Sequence, residues 1–144
     1  MTDFAWTFQG GRHLTITIGA TAGNVVTNLT PALGKRWLIL GGIVTIVCDA
    51  TAVNRIIILT ATDGTNITRP LSQTANILAT TTKKSGFGEA NYYSTGCNPA
   101  TVDWYCGLGT PILLEGADQF RITINAGVAG DSYSGFIDIL EVDV

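Results

Sequence analysis

The stretch RWLILGGIVTIVCD, Arg36 to Asp49, restricts what this chain can fold into more than any other. It is almost wholly apolar, so it must be covered. A membrane helix needs about 20 apolar residues; this run is shorter, is broken by Gly41-Gly42 and ends at Asp49. Paired glycines and the β-branched run Ile43, Val44, Thr45, Ile46, Val47 also oppose a helix. A strand fits. Read with a period of two, Leu38, Leu40, Val44, Ile46 and Cys48 share the core face, with Gly42 between them. The other face carries Trp37, Ile39, Gly41, Ile43, Thr45, Val47 and Asp49. It is apolar at its start and polar only toward its end, so the strand is expected to be covered on both sides for part of its length. Gly41-Gly42 would permit a bulge or bend.

The neighbouring segments extend the all-β reading. HLTITI, residues 13–18, alternates with Leu14, Ile16 and Ile18 inward and Thr15 and Thr17 outward. RIIILTAT, residues 55–62, is a second apolar strand and runs into Asp63-Gly64, a hairpin turn signal. Ile67 to Pro70 begins the return, and Ala75 to Thr82 has strand composition. DQFRITIN, residues 118–125, alternates with Phe120, Ile122 and Ile124 inward, and FIDILEVDV closes the chain. Ala20–Gly34 and Ser85–Gly109 read as loops. The second is long and rich in glycine and aromatics, as functional or partner-ordered loops are. Turn signals at this spacing give an antiparallel β-sandwich of about eight strands, sandwich or jelly roll, rather than a βαβ fold. The organisation is one domain over 1–144, with residues 1–11 as an extended N-terminal arm and 85–109 as a long aromatic loop.

Composition narrows the function classes. Charged residues make up 13% of the chain, against roughly 25% in an average soluble protein. The net charge of −3 leaves no basic footprint for nucleic acid, and Lys83-Lys84 are too few to make one. A neutral surface rich in Thr suits a protein covered by partners. MTDFAWTFQGGRH lacks a basic segment followed by an apolar one, so synthesis in a cytoplasm is expected. Nothing points to a membrane.

No catalytic motif is present. His13 falls on the polar face with Thr15 and Thr17, where an exposed strand histidine is the plain reading. Asp63, Glu115 and Asp131 sit at turns and suit Asx-type hydrogen bonds better than paired-carboxylate catalysis. Asp138 shares a strand face with Phe136 and Leu140, which suits an interface. Cys48 reads as a buried hydrophobe. Cys97 and Cys106 flank NPATVDWY and could close a small ring by a disulfide, in a protein that ends outside the cell or in a particle. Two thiolates and one distant histidine make no recognisable zinc set, and no metal or cofactor is expected. The loop aromatics Phe87, Tyr92, Tyr93, Trp104 and Tyr105 would serve packing or a protein interface ahead of stacking on sugars.

Several elements together resemble a family. They are Arg36-Trp37, LILGGIVTIV, the link Asp49-Ala50-Thr51-Ala52-Val53-Asn54-Arg55, IIILTAT and Asp63-Gly64. Toward the C-terminus come Pro111, Leu113-Leu114, Gly116-Ala117-Asp118, FRITIN and Gly130-Asp131. This order resembles small jelly-roll virion proteins of tailed bacteriophages, over about half the chain; Thr68 to Gly109 is outside it. The resemblance implies an eight-stranded jelly roll and a head decoration (cement) protein. Such a protein would be a structural homotrimer on the capsid exterior, made in the host cytoplasm and partnered by itself and the major capsid protein. It would be no enzyme. Contacts are expected from Phe4, Trp6 and Phe8 of the arm, from Trp37, Ile39 and Ile43, and from Tyr92, Tyr93, Trp104 and Tyr105. The alternative is a receptor- or glycan-binding jelly roll such as a tail-fibre tip.

Overall fold

A computed structural model describes residues 10–23, 26–89, 103–108 and 112–144. Among these the regular elements are all strands: β1 (Arg12–Ala22), β2 (Val26–Leu29), β3 (Lys35–Val47), β4 (Ile56–Thr62), β5 (Ile67–Gln73), β6 (Thr82–Glu89), β7 (Trp104–Leu108), β8 (Ile112–Glu115), β9 (Gln119–Asn125) and β10 (Ser132–Asp143). They form two sheets. The first runs β1-β10-β3-β6-β7, with β8 also on β3; the second runs β2-β9-β4-β5. Every pairing is antiparallel except β6 with β7, so the first sheet is mixed where a purely antiparallel one was expected.

One hydrophobic cluster lies between the sheets. Ile39, Val44, Ile46, Phe87, Ile112, Leu114, Ile137 and Ile139 come from the first; Ile57, Leu59, Phe120, Ile122 and Ile124 from the second. Phe87 and Phe120 stack across the gap with ring centroids 5.2 Å apart, adding about 0.5–1.5 kcal/mol beyond their buried area. Tyr133 of β10 is buried and meets the Thr27 hydroxyl of β2, a second tie between sheets. The alternating patterns of 13–18 and 118–125 face as expected, with Leu14, Ile16 and Ile18 packed on the core and Phe120, Ile122 and Ile124 inside it.

The long central strand departs from a simple period of two. On β10, Asp138 pairs Gly41 and the next residue, Ile139, pairs Ile39, so Leu40 is an extra residue in β3. This bulge reverses the alternation. Val44, Ile46 and Cys48 are core as expected, but on the far side of the bulge the core residues are Trp37 and Ile39. Leu38 and Ile43 project from the outer face. The expectation that Leu38 and Leu40 share the core face with Val44 is therefore corrected. Trp37 and Ile39 belong to the chain's own interior, and the Trp37 indole N–H donates to Glu141 at 2.9 Å. Neither offers surface to a partner.

β6 and β8 are two halves of one strand. β6 pairs β3 from Val47 to Gly41, and β8 continues along the same edge of β3, in the same direction, from Ile39 to Arg36. The chain leaves this line near Glu89, returns as β7 beside β6, and resumes the line at Ile112. Counted by lines, with β8 continuing β6, the two sheets hold nine strands, eight without the added β7. Two regions expected as loops contain strands: β2 inside 20–34, and the end of β6 and all of β7 inside 85–109. Ala75–Thr82 carries only the isolated bridge Arg55–Ile77 before β6 begins.

Gly135 of β10 lies against β3 so closely that an added Cβ would stand 2.0 Å from the Ile43 carbonyl oxygen. A backbone oxygen cannot yield without opening the ladder. Gly135→Ala is expected to cost about 3 kcal/mol, read as a lower denaturation midpoint with unchanged slope. An unshifted midpoint would contradict this packing.

Candidate functional site

Asp49, Arg55 and Asp131, three of the residues that carry the resemblance, converge on a buried ionic knot. Asp49 follows β3, Arg55 precedes β4 and Asp131 precedes β10, so the knot joins both sheets at one end. The Arg55 side chain is fully buried. Its Nε donates to Asp131 Oδ2 at 2.9 Å and its Nη2 to Asp131 Oδ1 at 2.9 Å, a bidentate pair. Nη2 also donates to Asp49 Oδ1 at 2.8 Å, and Nη1 to the carbonyls of Thr51 and Val53, both at 2.8 Å. All five guanidinium N–H groups are used. Asp131 accepts further from the backbone N–H groups of Asp49 and Val128. Burial alone would push the Asp131 carboxyl up, but Arg55 and these two amides outweigh it and hold the pKa below its ordinary value. The loop Asp49–Arg55 thus wraps its own arginine, and Gly130 leaves the space that Asp49 occupies. A group with every hydrogen bond spent on its own chain is scaffold. Asp131, read from sequence as a turn residue, is also the anchor of this knot.

Among the described residues the other carboxylates are likewise occupied. Asp63 accepts from the amides of Thr65 and Asn66 in the β4–β5 turn, which holds its pKa low, as the Asp-Gly signal implied. Asp103 accepts from Lys83 Nζ and the Lys84 amide, both at 2.7 Å, pinning the start of β7 to β6. Glu115 pairs with Arg36 and forms the turn to Asp118. A shallow cleft lined by Gly34, Lys35, Arg36, Glu115, Gly116, Asp118 and Val144 has its cations paired to Asp143, Glu141 and Glu115. Among the described residues, no group of three or more His, Cys, Asp or Glu could hold a metal ion, and no helix is long and apolar enough to cross a membrane.

No family model matches the sequence, and no curated protein does. The surface itself must therefore carry the functional argument. Its two broad faces differ. The outer face of the second sheet is mixed: Arg121 Nε donates to Asn28 at 2.9 Å beside Thr123 and Gln119, and Val26 and Ile58 flank Thr123. The outer face of the first sheet is apolar. Leu113, Leu38 and Leu140 stand side by side across β8, β3 and β10, and Ile43 faces Phe136. Asp138 lies among them, as its shared face with Phe136 and Leu140 implied, and accepts the Thr15 hydroxyl.

Of the residues expected to make contacts, Ile43 is on this outer face, while Trp37 and Ile39 are inside. Trp104 and Tyr105 lie in β7 at the sheet edge; their side chains are outside the described part. Phe4, Trp6, Phe8, Tyr92, Tyr93 and Cys97 also lie outside the described residues. Cys106 carries a free thiol packed against the core, and its expected disulfide partner Cys97 is among the residues not described. Cys48 is free and buried, and burial pushes its thiol pKa up, away from reactivity. Sequence reasoning missed the Arg55 knot. Its signal was an arginine leading directly into a wholly apolar strand, a position that demands a buried partner.

Proposed function

We propose that the chain is a structural protein of a virus particle: a jelly-roll subunit that oligomerises, as a homotrimer, and decorates a capsid from outside. The observation that carries this reading is the winding order. With β6 and β8 taken as one line and β7 as an addition, the sheets run β1-β10-β3-β6 and β2-β9-β4-β5. First and last strands are neighbours, and the chain crosses between sheets as two nested Greek keys would require. This order supports the jelly roll that the resemblance to phage head decoration proteins implies. The resemblance residues Asp49, Arg55 and Asp131 build the junction between the sheets, which suits a scaffold that bears load.

The mechanism is mechanical. A subunit seated across neighbouring capsomers adds buried area at seams that internal pressure would open. The partners are other copies of the chain and the major capsid protein, on the exterior of a particle assembled in the host cytoplasm. The test is rupture of shells of the virus that encodes the chain, prepared without it. Adding the purified protein should raise the temperature at which they release their contents, saturating at a fixed ratio to shell protein. Unchanged rupture at saturating protein would reject the reading. Binding of the free oligomer to cell-surface glycans instead would favour the fibre-tip alternative.

A further inference from the structure

The apolar outer face of the first sheet has a shape as well as a composition. Gly41 of β3 pairs Gly88 of β6, which pairs Gly107 of β7, and Gly86 pairs Ile43. Three strands thus share a floor without side chains. It is bordered by Ile43 and Phe136 on one side and by the row Leu113, Leu38, Leu140 on another. Leu38 is 8% exposed, Ile43 7% and Asp138 3%, although all three point away from the core. Outward side chains this buried require a cover.

We propose that this face is the docking site of the chain's own first nine residues. Three observations point to that occupant. Gly10, at the foot of β1, has φ +83°, a left-handed turn that can send the preceding residues back over the sheet. Gly11, next to it, lies directly against Leu140 and Val142; an added Cβ would be 2.8 Å from Leu140 Cγ and 2.9 Å from Val142 Cγ1. The segment therefore joins the described structure at the margin of the apolar face. Its length also suffices: residues 1–9 extended reach about 30 Å, whereas the sheet from β1 to β6 is three strand spacings, about 15 Å.

The sequence of the segment complements the floor. In MTDFAWTFQ the aromatics Phe4, Trp6 and Phe8 alternate with Ala5 and Thr7. An extended segment turns all three aromatics to one side and Asp3, Ala5, Thr7 and Gln9 to the other. Large flat rings on one edge suit a floor of glycines and a wall of leucines. The inference does not depend on the particle reading, since it concerns one chain and its own surface.

The experiment compares the full chain with a variant lacking residues 2–8, using anilinonaphthalene sulfonate as a probe of exposed apolar surface. The truncated protein should remain folded by circular dichroism and show a several-fold rise in dye fluorescence. A synthetic peptide of residues 1–9 should suppress that rise saturably, and a peptide of the same composition in scrambled order should not. The sedimenting mass should not fall on truncation. Unchanged dye fluorescence, or no effect of the peptide, would overturn the proposal. A fall from oligomer to monomer would also overturn it, by giving the segment to a neighbouring copy. If the truncation does not fold, full-length Trp6→Ser/Phe8→Ser serves: a rise in dye binding supports the docking and no rise rejects it.

Discussion

Replacing Arg55 with alanine should lower the unfolding free energy by about 3–5 kcal/mol, the usual loss when one partner of a buried pair is removed. The cost comes less from the lost attraction than from what remains. Asp131, buried with two oxygens aimed at a vanished guanidinium, would keep only the amides of Asp49 and Val128. The carbonyls of Thr51 and Val53 would lose their donor. Arg55→Lys should recover little, because an ammonium brings three donors to a site that uses five and cannot bind a carboxylate bidentately.

The same knot sets a pH dependence. Asp131 has a folded pKa held below its unfolded value, so its contribution is present above the unfolded value of about 3.9 and is lost as pH falls through the folded one. The native protein should hold its stability from neutral pH down to about pH 4 and lose it below. In Arg55→Ala the buried carboxyl has no counter-charge, its pKa rises, and stability should begin to rise as pH falls toward 5. Denaturant midpoints measured from pH 3 to 8 would separate the two profiles. Parallel profiles would show that Asp131 is not held by Arg55.

The second large effect concerns residues 89–111. A variant with Gly88 joined directly to Ile112 should fold, although β7 and the entire aromatic segment are gone. The register explains why. Gly88 pairs Gly41 and Ile112 pairs Ile39, across the bulged Leu40. On the other edge of β3, β10 makes the same step with one peptide bond, from Asp138 opposite Gly41 to Ile139 opposite Ile39. The junction therefore copies a geometry the protein already contains, with inward and outward faces preserved. The main loss is the packing of Leu108 on the core, about 2 kcal/mol, together with the Lys83–Asp103 ion pair. Under the decoration reading, shell binding should fall below detection with Tyr92, Tyr93, Trp104 and Tyr105 removed. A variant that melts cooperatively but no longer binds shells fits both expectations. One that cannot fold would make the segment part of the scaffold, and one that still binds would move the contact elsewhere.

Strands whose pattern is local were legible in the sequence. β1, β4, β9 and β10 alternate or end at strong turn signals, and each lies where its pattern put it. β2 is four residues at a sheet edge, and β6, TKKSGFGE, has lysines and glycines where alternation would be sought. The strand expected over 75–82 fails because the Thr74 hydroxyl and amide bond to Ile57 and end β5's ladder there. The reversal of faces in β3 was half legible. Gly41-Gly42 signalled a bulge, but only pairing with β10 fixes the extra residue as Leu40 and turns Trp37 and Ile39 inward. The Arg55 knot depends on Asp131, 76 residues away, and no local pattern announces such a pair. The aromatics that the sequence singled out for contact lie mostly beyond the described residues, and the reversal at the bulge is what separates Ile43, on the outer face, from Trp37 and Ile39 inside.

The measurement that tests the account most directly is sedimentation of the purified protein, first alone and then with empty shells of the kind the decoration reading assigns to it. The account predicts a stable trimer alone, and pelleting with the shells at a fixed, saturable ratio to the shell protein. A protein that stays in the supernatant at every ratio, as trimer or monomer, would contradict it.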